Sequence, residues 1–328
     1  MININLPRKR LGFFPTPLTE LTRLSEKLQG PRIFIKRDDL TGLAFGGNKT
    51  RKLEFLIGDA ISKGCDTVIT GGAEQSNHCR QTAAACAVSG LECHLVLGGS
   101  EPEIPKGNFL LDKLLGAKIH WDGEFRKGEK IPGISDELLR SGKKPYIIPY
   151  GGSNKVGIAG FVEAVNELKT QLEEMNENLS HIVFASSSGG THAGLVLGKY
   201  IYSQNYELVG IEIDKAEYEG LVYSDHLLNL TNSSAKYLGV DKIFTKDDLI
   251  LKSDYLGEGY GIMGELEKSA IKLLAETEGI IVDPVYTGRA FGALTDLIEK
   301  REFSSADKVL FWHTGGSPSL FSYADKLV

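Results

Sequence analysis

The chain has 328 residues and a formal net charge of −6, a length at which we expect two compact units, each with its own core. Hydrophobic residues make up 41% and charged residues 24% of the sequence, which is ordinary globular usage and excludes a disordered tail, a collagen-like fibre and a disulfide miniprotein. Basic and acidic residues are interspersed and no apolar run approaches the ~20 residues of a membrane span, so we expect neither nucleic acid nor membrane as a partner.

Short β-rich runs alternate with helical patterns along the whole chain. The predicted strands, in chain order, are 33–35, 67–70, 93–97, 117–121, 146–149, 182–184, 208–213 and 309–311. The predicted helices are 53–61, 77–88, 109–115, 160–172, 191–203, 261–278 and 289–300. The acidic, tyrosine-rich stretch 214–260 gives no clear pattern. This alternation is typical of βαβ units and predicts parallel sheets.

The cysteine pattern gives little support to a metal site. Cys65, Cys79, Cys86 and Cys93 contain no CxxC pair, so we expect no metal and interpret them as small buried thiols in a reducing compartment. The first residues also lack the charged, apolar and small-residue regions of a secretory leader. We therefore expect a cytoplasmic protein.

A lysine closely follows a glycine pair in GGNKTRK, residues 46–52, at the predicted start of a helix. The field of a helix N-terminus, together with the neighbouring Arg51 and Lys52, is expected to lower the pKa of the Lys49 amine and favour its nucleophilic form. A solvated basic first turn is the plain alternative, and it would be preferred for an isolated GGNK. The Walker pattern GxxxxGK[ST] is absent.

Two further glycine-rich loops follow predicted strands and open predicted helices. GGAEQSNH, residues 71–78, offers backbone N–H groups, a hydroxyl and an amide for a carboxylate. A Ser/His pair there also suggests a hydrolase, but GxSxG and an orienting acid are missing. ASSSGGTHAG, residues 185–194, reads as a phosphate cradle without a lysine, or as a plain polar turn. Its glycine spacing does not fit a dinucleotide fingerprint.

Two later segments, DPVYTG (283–288) and HTGG (313–316), each resemble ordinary turn chemistry when taken alone. They gain meaning when they are taken together with the three glycine-rich loops described above. A nucleophilic lysine, a phosphate cradle and a separate carboxylate loop are what a pyridoxal phosphate enzyme requires.

Five segments in order carry a resemblance to a known family. They are IKRDDLTGLAFGGNKTRKLEFL (35–56), GGAEQSNHCRQTAA (71–84), SSSGGTHAGL (186–195), DPVYTGRA (283–290) and HTGGSPSLF (313–321). Together they resemble the 1-aminocyclopropane-1-carboxylate deaminase/D-cysteine desulfhydrase family, a branch of the tryptophan-synthase-β-like pyridoxal phosphate enzymes. The resemblance runs nearly end to end.

The resemblance implies a role for each matching position. Lys49 would bind pyridoxal phosphate covalently and later move the proton of Cα, and Asn77 would hold the 3-hydroxyl oxygen of the ring. The phosphate would be bound by Ser188, Gly189, Gly190 and Thr191. The substrate carboxylate would be held by Ser76 with the backbone of Gln75, Asn77 and His78. The catalytic set implied is Lys49, Ser76, Tyr260 and Tyr286, with the two tyrosines flanking the reacting carbons.

The resemblance also implies an α/β fold of two open, twisted parallel-sheet domains with the cofactor in the cleft between them. Residues 1–50 and 157–328 would form the large cofactor-binding domain, and residues 51–156 a smaller inserted domain. A homodimer acting on a small amino acid is implied as well.

Two threonine positions distinguish between the two activities of this family, cyclopropane opening and β-elimination from cysteine. Deaminases that open the cyclopropane resemble DPVYEG and HLGG, whereas Thr287 and Thr314 stand at those positions here. A glutamate would keep the pyridine nitrogen protonated, while a threonine hydroxyl supports a neutral nitrogen, which suffices when the β-substituent is a good leaving group. The pair therefore favours β-elimination from cysteine.

Other activities remain open at this point. The preferred hypothesis is conversion of D-cysteine to pyruvate, hydrogen sulfide and ammonia. The alternatives are 1-aminocyclopropane-1-carboxylate deaminase or L-cysteate sulfo-lyase activity on the same scaffold, and a non-catalytic amino-acid sensor. Glu74 would disfavour an anionic substrate side chain such as a sulfonate if it faces the pocket, and would have no such effect if it faces solvent.

Overall fold

The computed structural model describes residues 4–214, 218 and 220–327. Its strands are β1 Leu18–Glu20, β2 Arg32–Arg37, β3 Thr67–Ala73, β4 Glu92–Gly98, β5 Lys118–Trp121, β6 Pro145–Ile147, β7 His181–Ser186, β8 Glu207–Glu212, β9 Leu251–Lys252 and β10 Lys308–His313. Its α-helices are α1 Thr22–Leu28, α2 Lys49–Ser62, α3 Asn77–Ser89, α4 Gly107–Leu114, α5 Ile131–Arg140, α6 Ala159–Met175, α7 Gly190–Ile201, α8 Tyr223–Tyr237, α9 Glu265–Glu278, α10 Thr287–Glu299, α11 Ser317–Leu320 and α12 Ala324–Leu327.

The strands form two separate sheets. Six strands follow the order β1-β2-β10-β7-β8-β9, and four follow the order β5-β4-β3-β6. Only β1, a three-residue edge strand, pairs antiparallel, with β2; the other pairs between the described strands are parallel. The predicted α/β class with two open parallel sheets is confirmed. Every strand of the smaller sheet lies within 51–156, but those domain boundaries stay a prediction.

The larger sheet is buried on both faces, because alternate residues of its strands point to opposite sides. On β2, Phe34 packs into the layer formed with α6, α7 and α8. Ile33 and Ile35 pack into the opposite layer, formed with α1, α9 and α10. The smaller sheet packs against α2, α3 and α4 on one face and against α5 on the other. Both sheets therefore present their carboxyl ends as rigid edges for loops.

The structure corrects the sequence prediction at several elements. The stretch 214–260 contains α8, whose buried face carries Thr231 and Ser234 beside Leu227, so its apolar period is weak. Part of that stretch, 215–217 and 219, lies outside the described residues. The helix predicted from 261 begins only at Glu265, after a turn in which the Glu267 carboxylate accepts a hydrogen bond from the Gly264 N–H. The elements β1, α1, α5 and β9 were not predicted.

Within the described part of the chain, no helix is both long and apolar enough to span a membrane. The same residues contain no group of three or more His, Cys, Asp or Glu side chains arranged to hold a metal ion.

Candidate active site

A cavity lies where loops from the carboxyl ends of both sheets meet. Strand β3 leads into its carboxylate loop, β7 into its phosphate loop, and β10 into Thr314. The residues that line it are Asn48, Lys49, Ser76, Asn77, His78, Tyr150, Gly151, Ala185, Ser186, Ser187, Ser188, Gly189, Thr191, His192, Tyr286, Thr314 and Gly315. The fold thus brings together segments that are more than 200 residues apart in the sequence, as expected for a ligand site at strand ends.

Lys49 is the first residue of α2 and lines this cavity. Burial lowers the pKa of its amine to about 8, and the Asp283 carboxylate partly opposes this shift. The sequence predicted this direction from the helix N-terminus and from Arg51 and Lys52, and it did not foresee that Lys49 is buried. Arg51 is neutralised by Asp38, 2.8 Å away, and by Glu167, 2.9 Å away, so desolvation and not neighbouring cations accounts for the lowered pKa.

The phosphate loop connects β7 to α7. Gly189 adopts a φ of +84°, a left-handed conformation that suits glycine, and α7 begins at Gly190 with its N–H groups directed at the loop. The hydroxyl of Thr191 accepts a hydrogen bond from the Asn48 amide, which leaves its proton available to a ligand. Among the described residues, the buried hydroxyl of Ser187 has no hydrogen-bond partner. These features fit a bound phosphate.

A lysine from outside the loop's own sequence lies close to this cradle. The fully buried Lys52 amine donates to the Ser153 hydroxyl (3.2 Å) and the Gly151 carbonyl (3.1 Å), and a Cβ added to Gly190 would lie 2.7 Å from it. Ser153 in turn accepts a hydrogen bond from the Gly190 N–H. Burial lowers the Lys52 pKa well below its ordinary value, and a phosphate dianion beside it would favour the charged form.

The carboxylate loop has donors ready for a ligand. The Ser76 hydroxyl caps α3 by accepting from the Cys79 N–H, so its own proton is free to donate. The Asn77 side-chain oxygen accepts from Asn108, which leaves the Asn77 NH₂ as the group that can donate into the cavity. Both residues line the cavity, and the binding roles given to them by the sequence stay predictions.

The two flanking residues, Gln75 and His78, differ in whether they line the cavity. The Gln75 side chain donates to the Lys106 carbonyl and accepts from the Asn108 N–H, outside the cavity lining. His78 lines the cavity, with its Nε2 bonded to the Thr70 hydroxyl. Because that hydroxyl donates to the Ile148 carbonyl, His78 carries its proton on Nε2 and presents Nδ1 as an acceptor. Burial lowers the His78 pKa well below its ordinary value, which keeps the ring neutral.

A tyrosine cluster closes the other end of the cavity. The hydroxyls of Tyr260 and Tyr286 are 2.5 Å apart, and burial raises the pKa of both well above the ordinary value. Tyr286 lines the cavity whereas Tyr260 lies behind it. Tyr150, which the sequence analysis did not single out, also lines the cavity. Its position before the Gly151-Gly152 pair was the available signal, because similar pairs mark the other loops.

The two discriminating threonines are placed differently. Thr314 lines the cavity. The Thr287 hydroxyl donates to the Asp283 carboxylate (2.6 Å) and accepts from the Asp283 N–H (2.8 Å), and Thr287 is not among the cavity-lining residues. This placement corrects the expectation that both threonines face the ring nitrogen. Asp283 itself is bound by the N–H groups of Val285 and Tyr286 as well.

These residues fit pyridoxal phosphate. The cavity is lined by the buried Lys49, whose pKa is lowered, by the loop at the start of α7, and by the Ser76 hydroxyl and the Asn77 amide. A second buried lysine, Lys52, lies behind this loop, bonded to Gly151 and Ser153. Unpartnered buried polar atoms at Ser187, His78 and His192, counted within the described residues, face the same cavity.

A family model described as "Pyridoxal-phosphate dependent enzyme" matches residues 9–315. The chain belongs to this family. It is 42% identical to a "Putative 1-aminocyclopropane-1-carboxylate deaminase" of Pyrococcus abyssi, over 98% of this chain and 95% of that protein. It is 43% identical to a "D-cysteine desulfhydrase" of Klebsiella pneumoniae, over 97% of this chain and 96% of that protein.

Solved structures support the same family and fold. The crystal structure of an "ACC deaminase homologue" is 42% identical and superposes with a TM-score of 0.90, covering 98% of this chain and 96% of the other. The threonine deaminase isoform 2 of Solanum lycopersicum superposes with a TM-score of 0.64 at 18% identity, covering 95% and 82% respectively, and therefore shares the fold. The predicted family, fold class, enzymatic nature and pyridoxal phosphate cofactor are confirmed.

Proposed function

We propose that the enzyme catalyses β-elimination from D-cysteine, with water, to give pyruvate, hydrogen sulfide and ammonia. One observation carries the proposal: among the described residues that line the cavity, none is acidic. The sequence DPVYTG places Thr287 where a glutamate would stand in a cyclopropane-opening deaminase, and the nearby Asp283 is committed to N–H and hydroxyl donors of its own turn. Of the two threonines, Thr314 is the one that lines the cavity, and the proposal assigns it to the ring nitrogen.

The absence of an acid at this end affects the chemistry that the cofactor can support. Pyridoxal phosphate supplies an electron sink for charge that develops at Cα when a proton leaves. A hydroxyl such as that of Thr314 supports a neutral ring nitrogen, which is a weaker sink than a pyridinium. A weak sink suffices when thiolate leaves from the β-carbon, whereas opening a cyclopropane has no such leaving group.

We assign the following tasks to the chain's own residues. The neutral Lys49 amine, favoured by its lowered pKa, takes the proton from Cα. Ser76 donates to the substrate carboxylate, and Asn77 donates to the ring oxygen. The phosphate is held by Ser188, Gly189, Gly190, Thr191 and the amine of Lys52. Tyr286, supported by Tyr260, flanks the reacting carbons.

The names of the relatives support both branches of the family. Proteins called "D-cysteine desulfhydrase" and "Putative 1-aminocyclopropane-1-carboxylate deaminase" are equally similar to this chain, at 43% and 42% identity. The proposal therefore relies on the composition of the cavity, and the names serve as background.

A substrate panel tests this proposal. The purified holoenzyme would be given D-cysteine, L-cysteine, cysteate, β-chloroalanine and 1-aminocyclopropane-1-carboxylate, and keto acid, ammonia and sulfide would be measured. We expect pyruvate, ammonia and sulfide in equal amounts from D-cysteine, and Lys49→Ala should lower the rate at which each of them forms about 10³-fold or more. Turnover of cysteate with release of sulfite, and none of D-cysteine, would replace the proposal with a sulfo-lyase.

A homodimer and a cytoplasmic location stay predictions from the sequence. Sedimentation velocity at micromolar concentration tests the first: a dimer is expected, and a monomer would contradict it.

A further inference from the structure

A loop of the smaller sheet reaches across the cleft at the tyrosine end of the cavity. It follows β5 and comprises residues 122–130. A Cβ added to Gly98, at the end of β4, would lie 2.6 Å from the Phe125 carbonyl oxygen, and one added to Gly71 on β3 would collide with the backbone of Gly128. Only glycine at these strand ends lets the loop lie this close to the sheet. The loop is thus held firmly on the smaller sheet.

Arg126 extends from this loop to the larger sheet. One guanidinium nitrogen is 2.7 Å from a carboxylate oxygen of Asp214, which follows β8. The guanidinium carbon lies 4.2 Å from the centre of the Tyr260 ring, within the range of a cation–π contact. The Asp214 ion pair therefore orients the Arg126 guanidinium against the face of the Tyr260 ring.

The backbone that carries Tyr260 is held by a different arginine. Arg289, buried within the larger domain and paired with Glu267 at 2.6 Å, donates to carbonyl groups of the tyrosine-bearing loop. These are the carbonyls of Leu256, Gly259 and Ile262. Arg289 thus fixes the main chain of the loop, while the Tyr260 ring is contacted by Tyr286 at its hydroxyl and by Arg126 on its face.

We propose that Arg126 is a positioning residue for Tyr260. It reaches from the loop of the smaller sheet to the larger sheet and holds the Tyr260 ring against Tyr286, so the position of the ring depends on how the two sheets lie relative to each other. The inference rests on the proposed function in that Tyr286 and Tyr260 flank the reacting carbons. Arg126 is not among the cavity-lining residues, so it acts through Tyr260 and not on the substrate. The positive charge of Arg126 also opposes the rise in the Tyr260 pKa that burial causes.

The test compares four variants of the holoenzyme. Arg126→Met removes the charge and both contacts, Arg126→Lys keeps a cation near the ring, and Asp214→Asn removes the carboxylate that pairs with Arg126. Lys130→Met is the matched control, because Lys130 lies on the same loop but bonds to the Trp121 carbonyl and Asp122. We expect Arg126→Met to lower kcat about 10- to 100-fold, as misplacement of a catalytic group does, with KM and the visible absorbance of bound cofactor unchanged.

Arg126→Lys and Asp214→Asn should lose less activity than Arg126→Met, and Lys130→Met should match the wild type. An Arg126→Met enzyme with wild-type kcat would overturn the proposal. So would a loss of activity explained entirely by loss of cofactor, or an equal loss in Lys130→Met. If Arg126→Met does not fold, the same kcat criterion applies to Asp214→Asn.

A crystal structure of the Arg126→Met holoenzyme separates this proposal from the choice of substrate. We expect the two tyrosine hydroxyls to move beyond hydrogen-bond range, more than about 3.5 Å apart. If the Tyr260–Tyr286 contact persists unchanged, Arg126 does not position Tyr260, whichever amino acid the enzyme uses. Absence of wild-type turnover of D-cysteine, with this displacement observed, would instead reject only the proposed substrate.

Discussion

The two ends of the cavity are built in different ways. The phosphate end is largely one continuous segment, 186–191, which leads into the N-terminus of α7, where main-chain N–H groups can bind an anion. The tyrosine end is assembled from three separate segments that carry Tyr150, Tyr260 and Tyr286, with Arg126 added from the smaller sheet. Main-chain donors depend on local conformation, whereas a side-chain cluster depends on the packing of distant segments. We therefore expect damage to the first end to weaken cofactor binding and damage to the second to slow the reaction.

The largest effect is expected at Lys49, which lines the same cavity. Lys49→Ala should lower kcat about 10³-fold or more, because it removes both the covalent anchor and the group that takes the Cα proton. Borohydride reduction of the wild-type holoenzyme, followed by mass spectrometry, should place the cofactor on the peptide that contains Lys49. Attachment to another lysine, including Lys52, would contradict the assignment.

At the tyrosine end, Tyr286→Phe should lower kcat about 100-fold while cofactor affinity stays within about twofold of the wild type. The hydroxyl is lost, but no group near the phosphate changes. Equilibrium titration of apoenzyme with pyridoxal phosphate, together with steady-state rates, would measure both quantities. Loss of cofactor affinity comparable to the loss of rate would show that the two ends do not act separately.

At the phosphate end, Gly190→Ala should weaken cofactor binding more than it lowers kcat. The new Cβ would lie 2.6 Å from the Ser153 hydroxyl and 2.7 Å from the Lys52 amine, which displaces groups that face the phosphate. Losing one charge-assisted hydrogen bond weakens cofactor binding about 10- to 100-fold. Gly133→Ala is the control, because a Cβ there meets nothing within 4 Å. If apo and holo Gly190→Ala lose stability equally, Gly190 has only a structural role.

The sequence signal for the phosphate end is local. A β-rich run, a glycine pair and a helical pattern identify 185–194 without knowledge of the rest of the chain. The position of Lys52 beside this loop was not predicted, because its amine reaches the loop only through the packing of α2 near Gly151 and Ser153. Arg126 was missed for the same reason, since nothing near it in sequence indicates Tyr260.

The same distinction explains the errors in secondary structure. Long amphipathic helices such as α6, and the apolar strands, could be predicted from the spacing of their apolar residues. β1 has only three residues, and α8 places Thr231 and Ser234 on its buried face, with the Thr231 hydroxyl bonded back to the Leu227 carbonyl. A buried polar side chain that satisfies itself within its own helix removes the apolar signal on which the prediction depends.

The smallest effect concerns pH. The folded-state pKa of Lys49, about 8, is below its ordinary value of 10.5. The rate at which apoenzyme captures pyridoxal phosphate should therefore rise about tenfold per unit up to pH 8 and flatten above it. Between these two pKa values the unfolded chain holds the proton and the folded apoenzyme releases it, so this group makes the free energy of unfolding rise with pH. Stopped-flow absorbance checks the first effect, and a rate still rising steeply above pH 9.5 would contradict it.

The most direct test of the central claim is the ratio of kcat/KM for D-cysteine to that for 1-aminocyclopropane-1-carboxylate, measured on wild-type holoenzyme. A cavity whose described lining has no acidic side chain and includes Thr314 predicts a strong preference for D-cysteine, by about 100-fold or more, equivalent to roughly 2.7 kcal/mol. A ratio below one would contradict the account and assign the enzyme to cyclopropane opening.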